Sequence, residues 1–327
     1  MGIVITGGAG FVGSALVDEL LQRNPGAEIT VLDALVYPMG EKNLSDKARK
    51  HPGLKFVKGS VGDAGLLDSI LQPGDQVVHL AVEMAKPHLF IETQISGTKT
   101  ILDASLRRQV KHFVYQSTGD IYGHNESDDI DENAPSKPTH LYAATKLGAE
   151  ALVSAYHHTY GLPTTILRPV SIYGRRQYPG WLVARFCTLA IAGKPLTVMG
   201  SGSARRDWIY VTDIAKALAA ALENKPEGEV YNIGTGREWS VMQIAEMVLD
   251  LAGVPHDRIE RLPERDGDFA RQITHARKAK SKLGWSAQVP FEQGLRYTFD
   301  WYASNQAWVS TQMAGEGASL GFRVKED

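Results

Sequence analysis

Two hydrophobic rhythms alternate along the first half of the chain. Short runs rich in β-branched residues, at Ile3–Thr6 and at residues 29–32, 55–58, 77–80, 113–116 and 164–167, have the length and composition of buried strands. Between them, residues 12–22, 91–106 and 141–158 place apolar side chains every three or four positions, the spacing of one helix face. This alternation predicts parallel strands joined by crossover helices, hence an α/β fold with a doubly wound (Rossmann) sheet. Ligands of such sheets sit beyond the carboxyl ends of the strands.

Past about residue 175 the rhythm loosens. Stretches at residues 208–211, 215–222, 230–233 and 241–251 predict a smaller α/β lobe. The domain reading is a doubly wound domain over residues 1–174, a smaller lobe over 175–305 whose chain can cross back to the sheet, and a flexible tail over 306–327. That tail carries Gly, Ser, Ala and charges with little periodicity.

Composition acts mainly by exclusion. The 327 residues are 43% hydrophobic and 22% charged, ordinary for a globular protein. A net charge of -2 gives no electrostatic ground for a nucleic-acid or membrane partner, so an anionic ligand must be met by local cations. Cys187 is the only cysteine, which leaves no intrachain disulfide and no thiolate zinc site. No metal is expected. With no signal-peptide pattern at the start and no apolar run of membrane-spanning length, a cytoplasmic setting is expected.

The first predicted strand runs into Gly7-Gly8-Ala9-Gly10-Phe11-Val12-Gly13, which opens a predicted helix. Side chains at Gly7 or Gly10 would block the tight turn, and a helix start at Phe11 and Val12 directs backbone N–H groups at a diphosphate, with Gly13 packing helix on strand. Asp33 ends the second strand, where a carboxylate accepts from both ribose hydroxyls and repels a 2′-phosphate; the cofactor expected is NAD rather than NADP. Asp63, after Gly59-Ser60-Val61-Gly62, suits an adenine amino group and equally a helix N-cap. Val61, Leu80 and Ala81 are further expected cofactor contacts.

Tyr142 and Lys146 lie four apart on one face of a predicted helix. A neighbouring ammonium and a cationic nicotinamide ring both favour the phenolate, which makes the phenol a usable base near neutrality.

With these residues, the chain resembles the extended short-chain dehydrogenase/reductases, the group of NAD-dependent nucleotide-sugar epimerases, 4,6-dehydratases and decarboxylases. The likeness rests on the glycine turn, His79-Leu80-Ala81, Gly97-Thr98, Ser117-Thr118, Ile121-Tyr122-Gly123 and Tyr142-Ala143-Ala144-Thr145-Lys146. It continues through Tyr173-Gly174-Arg175-Arg176-Gln177, Arg206-Asp207-Trp208-Ile209-Tyr210-Val211-Thr212-Asp213 and Tyr231-Asn232-Ile233-Gly234. The resemblance implies that Tyr142 removes the proton of a sugar 4-hydroxyl while C4 gives hydride to NAD, that Lys146 holds the nicotinamide ribose and that Thr118 orients the hydroxyl. It also implies a homodimer built on the helices at residues 91–106 and 141–158.

Once C4 is a ketone, hydride return, loss of water and loss of carbon dioxide compete. Dehydratases of this group follow the threonine with Asp then Glu, as acid and base. This chain has Gly119 and Asp120, so the acid is missing and the base is one methylene short. Other stretches, such as Arg176-Gln177-Tyr178-Pro179, resemble the dehydratases more than typical epimerases. The catalytic positions decide for 4-epimerisation of a nucleotide-diphosphate hexose. The alternatives are a dehydratase-like reaction, a 3- or 5-epimerase with Asp120 as base, or a hexuronate decarboxylase. From another class, the rival is a noncatalytic NAD-binding protein, which Tyr142 and Lys146 argue against.

The loop at residues 82–88 is shorter than in relatives, which predicts an altered hexose pocket with Glu83 and Lys86 as sugar contacts. Ser171 stands where the group usually shows a substrate-binding Asn. By resemblance Arg206 binds the substrate diphosphate, with Arg265 and Arg271 contributing from a later segment.

Overall fold

The computed structural model describes residues 2–37, 40–84, 86–124, 127, 130–263 and 271–314. Its centre is a seven-stranded parallel sheet, built from β1 (Ile3–Thr6), β2 (Ile29–Asp33), β3 (Leu54–Lys58), β4 (Gln76–His79), β5 (His112–Gln116), β6 (Thr164–Pro169) and β10 (Glu229–Ile233). The order is β10-β6-β5-β4-β1-β2-β3. From β1 the chain therefore winds first toward β3 and then back past β4, and the reversal opens a crevice at the carboxyl ends of β1 and β4.

Neighbouring strand residues face opposite sides. Val4, Leu32, Val77, Phe113 and Ile166 pack under α3 (Ala64–Ile70), α4 (Thr98–Arg107) and α5 (Leu141–Tyr160). Ile5, Val31, Val78, Val114 and Leu167 pack on the other side, in a cluster with α1 (Phe11–Arg23) and α7 (Val211–Asn224). Burial on both faces is why these strands read as unbroken apolar runs.

Beyond β6 the chain forms β7 (Ser171–Tyr173), α6 (Leu182–Ile191), β8 (Leu196–Met199) and β9 (Arg205–Tyr210), and after β10 come β11 (Glu238–Ser240), α8 (Val241–Ala252), β12 (Ile259–Leu262) and β13 (Arg271–Gln272). β9 is the hub of a small sheet, parallel to β7 and β13 and antiparallel to β11. Two carboxylates of the motifs quoted above pin this region. Buried Asp207 accepts from the Thr235 and Gly236 amides, and Asp213 from those of Gln288 and Val289.

Two expectations need correction. Residues 91–106 are not one regular helix, because Ile91–Gly97 winds as a wide π-helical turn before α4. Residues 306–313, expected as flexible tail, form α10 (Gln306–Met313) after α9 (Phe291–Ser304), with Trp308, Val309 and Gln312 buried. Among the described residues no helix is long and apolar enough to cross a membrane.

α5 is anchored from beneath. Arg168 of β6, 8% exposed, forks onto the Glu150 carboxylate and also donates to the Tyr122 hydroxyl at 2.7 Å. Tyr122 in turn donates to Asn232 of β10 at 2.7 Å. One buried polar network thus ties α5 to two strands.

Candidate active site

The turn after β1 is tight for a packing reason. Gly7 has φ +67°, and a Cβ there would stand 2.9 Å from the Ala81 nitrogen at the end of β4. A Cβ on Gly13 would stand 2.3 Å from the Gly7 carbonyl, so only glycine lets α1 press against the turn. The N-cap of α1 is Gly10, with no side chain bonded to the first-turn amides, which leaves them to an anion. Asp33 ends β2 beside this turn and accepts from the Ala9 and Leu35 amides at 3.0 and 2.9 Å. Burial raises its carboxyl above the ordinary range, and those two amides oppose the shift.

These residues open into a cleft of about 510 Å³. Its cofactor-side wall carries Gly7, Gly10, Phe11, Val12, Gly13 and Asp33. Val61, Leu80, Ala81 and Glu83 line the cleft as well, as do Thr118 and Asp120 after β5, Tyr142 of α5 and Ser171, the first residue of β7. Asp63 is not in the lining; its side chain caps α3 through the Leu66 amide at 2.9 Å. Several buried polar atoms of the lining have no hydrogen-bond partner among the described residues: Gln116 Oε1, Ser117 Oγ, Gln177 Oε1, Trp208 Nε1 and Gln312 Oε1. Polar atoms left unpaired cost free energy unless a ligand answers them, so the cleft fits a large polar ligand such as a dinucleotide.

Lys146, 4% exposed, does not line the cleft; its ammonium donates to the Gln116 carbonyl and lies 4.2 Å from the Tyr115 ring centre. Burial pulls it down to about 7. From its spacing this ammonium is expected to lower the Tyr142 phenol, but in the protein itself burial, then the Asp120 carboxylate and Tyr37, push that phenol up. Thr118 caps the turn Gly119–Tyr122 by accepting from the Asp120 amide at 3.2 Å, which leaves its own hydroxyl proton to give.

Asp120 is held by two partners although its side chain is 26% exposed. Gln272 of β13 donates to it at 2.8 Å, and His140, the N-cap of α5, stands 3.7 Å away and stacks on the Tyr142 ring. His79 is structural: its ring bonds the Thr6 and Thr98 hydroxyls, and burial, then Lys146, lowers it to about 3.

The short loop at residues 82–84 is buttressed by the π-helical turn, where Gln94 exchanges hydrogen bonds with the Glu83 backbone at 3.4 and 3.2 Å. Glu83 is buried and accepts from the Lys86 amide at 3.1 Å, whereas the Lys86 side chain is exposed and off the cleft. Arg206 and Arg271 do not line the cleft either. Arg206 donates to the Arg205 carbonyl at 3.0 Å, and Arg271 pairs with Glu238 at 2.6 Å. Arg265 lies outside the described residues. Trp208, Gln177 and Arg176 also line the cleft, with no signal in the sequence beyond their places in the motifs quoted above.

Lys146→Met should raise the melting temperature of the cofactor-free protein by about 3 °C at about pH 6, less near pH 10. Below about 7 the lysine is charged folded and unfolded, so its burial cost is complete; between there and 10.5 only the unfolded chain keeps the proton, and that cost fades as pH rises. Calorimetry at the two pH values reads the difference, and a variant less stable at both contradicts it.

Residues 3–234 match the model of the NAD dependent epimerase/dehydratase family. The low-salt glycan biosynthesis protein Agl12 of Haloferax volcanii is 38% identical, over 92% of this chain and 98% of that protein. The structure superposes on dTDP-glucose 4,6-dehydratase DesIV from Streptomyces venezuelae, solved with NAD bound, with a TM-score of 0.90, 35% identity and coverage of 94% and 98% of the two chains. The UDP-glucose 4-epimerase of Thermotoga maritima, solved with UDP-glucose, gives 0.85 at 32% identity, covering 94% and 100%.

Proposed function

The chain belongs to the NAD dependent epimerase/dehydratase family, an NAD enzyme of nucleotide-sugar chemistry, and from that premise we propose that it is a 4-epimerase of a nucleotide-diphosphate hexose. The observation that carries this choice is Gly119. The position that would hold the acid for a departing 6-hydroxyl has no side chain, and a Cβ there would stand 3.3 Å from the Pro169 carbonyl and 3.5 Å from the Gln272 amide nitrogen. Elimination without its acid forgoes a factor of about 10² to 10⁴. Hydride return needs no such group.

NAD held in this cleft would supply a reversible hydride acceptor for C4 and a cationic ring whose charge would offset the burial and carboxylate that raise Tyr142. Tyr142 takes the proton of the 4-hydroxyl as the ketone forms and gives it back on reduction. Thr118 donates to the same oxygen and fixes its direction. Lys146 takes the nicotinamide ribose by turning its ammonium from the Gln116 carbonyl, and Asp33 takes the adenosine ribose. Glu83 and Ser171 line the sugar end. Arg206, Arg265 and Arg271 belong to the proposed diphosphate side, reached by side-chain rearrangement where Arg206 and Arg271 are concerned. The working form is a homodimer, in keeping with Ile91 and Leu141 standing exposed on the helices expected to pair.

A second reading, epimerisation at C3 or C5 with Asp120 as base, is favoured by the anchoring of that carboxylate between Gln272 and His140. Proton NMR of UDP- and dTDP-hexoses turned over in heavy water separates the two. The expected result is inversion at C4 with no deuterium at C3 or C5. Asp120→Asn should then stay active, with its rate–pH profile moved to lower pH, because the lost anion is one cause of the raised phenol. Deuterium at C3 or C5 that disappears in Asp120→Asn establishes the second reading; a 6-deoxy-4-keto product overturns both.

A further inference from the structure

α10 lies beyond the residues that match the family model, yet it reaches the cofactor cleft. Trp308 and Gln312 are one helical turn apart and share its buried face, 8% and 2% exposed. The Trp308 indole donates to Asn43 Oδ1 at 2.9 Å, and Asn43 Nδ2 donates to the Ala9 carbonyl at 3.0 Å. Ala9 in turn gives its own N–H to Asp33. A chain of hydrogen bonds therefore runs from the C-terminal helix, through the glycine turn, to the carboxylate that faces the ribose. Gln312 itself lines the cleft, and its carboxamide oxygen is buried without a partner among the described residues.

We propose that α10 is part of the cofactor site: Gln312 accepts a hydrogen bond from the ADP-ribose half of NAD, and Trp308 positions the glycine turn through Asn43. A carboxamide oxygen needs a donor, and in ADP-ribose the diphosphate has none at neutral pH, whereas the ribose hydroxyls do. An oxygen kept dry and unpaired costs the apoprotein stability, which binding recovers. The inference needs only the cofactor and is independent of which sugar reaction the enzyme performs.

The test is calorimetric titration of the full chain with NAD, ADP-ribose and nicotinamide mononucleotide, alongside apoprotein melting. Gln312→Leu is expected to weaken NAD and ADP-ribose alike, by about 3- to 10-fold, to leave the mononucleotide unchanged, and to melt no lower than wild type. Trp308→Phe keeps an aromatic ring against Trp301 while removing the N–H together with part of the indole; it is expected to weaken the same two ligands several-fold. Unchanged affinity for ADP-ribose in Gln312→Leu overturns the proposal. So does a Trp308→Phe protein whose only change is a lower apoprotein melting temperature, since that is a structural role alone.

Discussion

Tyr142→Phe should lower kcat by about 10² to 10⁴, the usual worth of a positioned proton acceptor, while NAD affinity stays within about twofold of wild type. The substitution removes one oxygen and keeps the ring, which packs edge-on to Phe90 and stacked on His140, so the cleft keeps its shape. Because burial and the Asp120 carboxylate both hold the phenol neutral in the protein alone, the rate should also depend on pH: a neutral phenol cannot accept a proton, so turnover by wild type rises as pH increases toward the phenol's value in the complex. Steady-state kinetics with the hexose that turns over, paired with calorimetric NAD titration, gives both quantities. A Phe variant within tenfold of wild-type kcat removes Tyr142 from the chemistry.

The largest effect on stability is expected at Glu150, one turn past Lys146 on the same helix. Both partners of the Glu150–Arg168 pair are buried, their side chains 6% and 10% exposed. Glu150→Ala strands the Arg168 guanidinium without its counter-charge, a loss of about 3 to 5 kcal/mol, or a drop of roughly 10 °C in melting temperature. Replacing both residues together, Glu150→Leu with Arg168→Met, should recover most of that loss, since no unpaired charge then remains. Thermal melts of the single and double variants decide the matter; a double variant no better than Glu150→Ala means that the Tyr122 and Asn232 contacts, not the ion pair, hold α5 in place.

How much was legible before any coordinates follows from what each feature depends on. β1, β2 and β4 are covered on both faces, so they announce themselves as apolar runs, and the glycine turn is local in sequence. Contacts across long separations carry no such signal. Nothing near Asp120 indicates that Gln272, 152 residues later, will hold it. The same is true of Trp308 and Asn43, 265 residues apart, and eight residues of α10 are too few for a periodic pattern to stand out. Charge in the interior is hidden for a related reason: the sequence places an ammonium one turn from Tyr142 but does not reveal that this ammonium is aimed at the Gln116 carbonyl.

The seventh strand of the sheet is supplied late. β10 lies against β6 in parallel register from Glu229 to Ile233, so the edge of β6 stays open until the chain has travelled through β9 and α7 and returned. On the ribosome, the nucleotide-binding half emerges with an unpaired border and acquires its last partner only some sixty residues after β6 is complete. A chain ended near residue 174 would therefore leave β6 without the neighbour that covers its outer border.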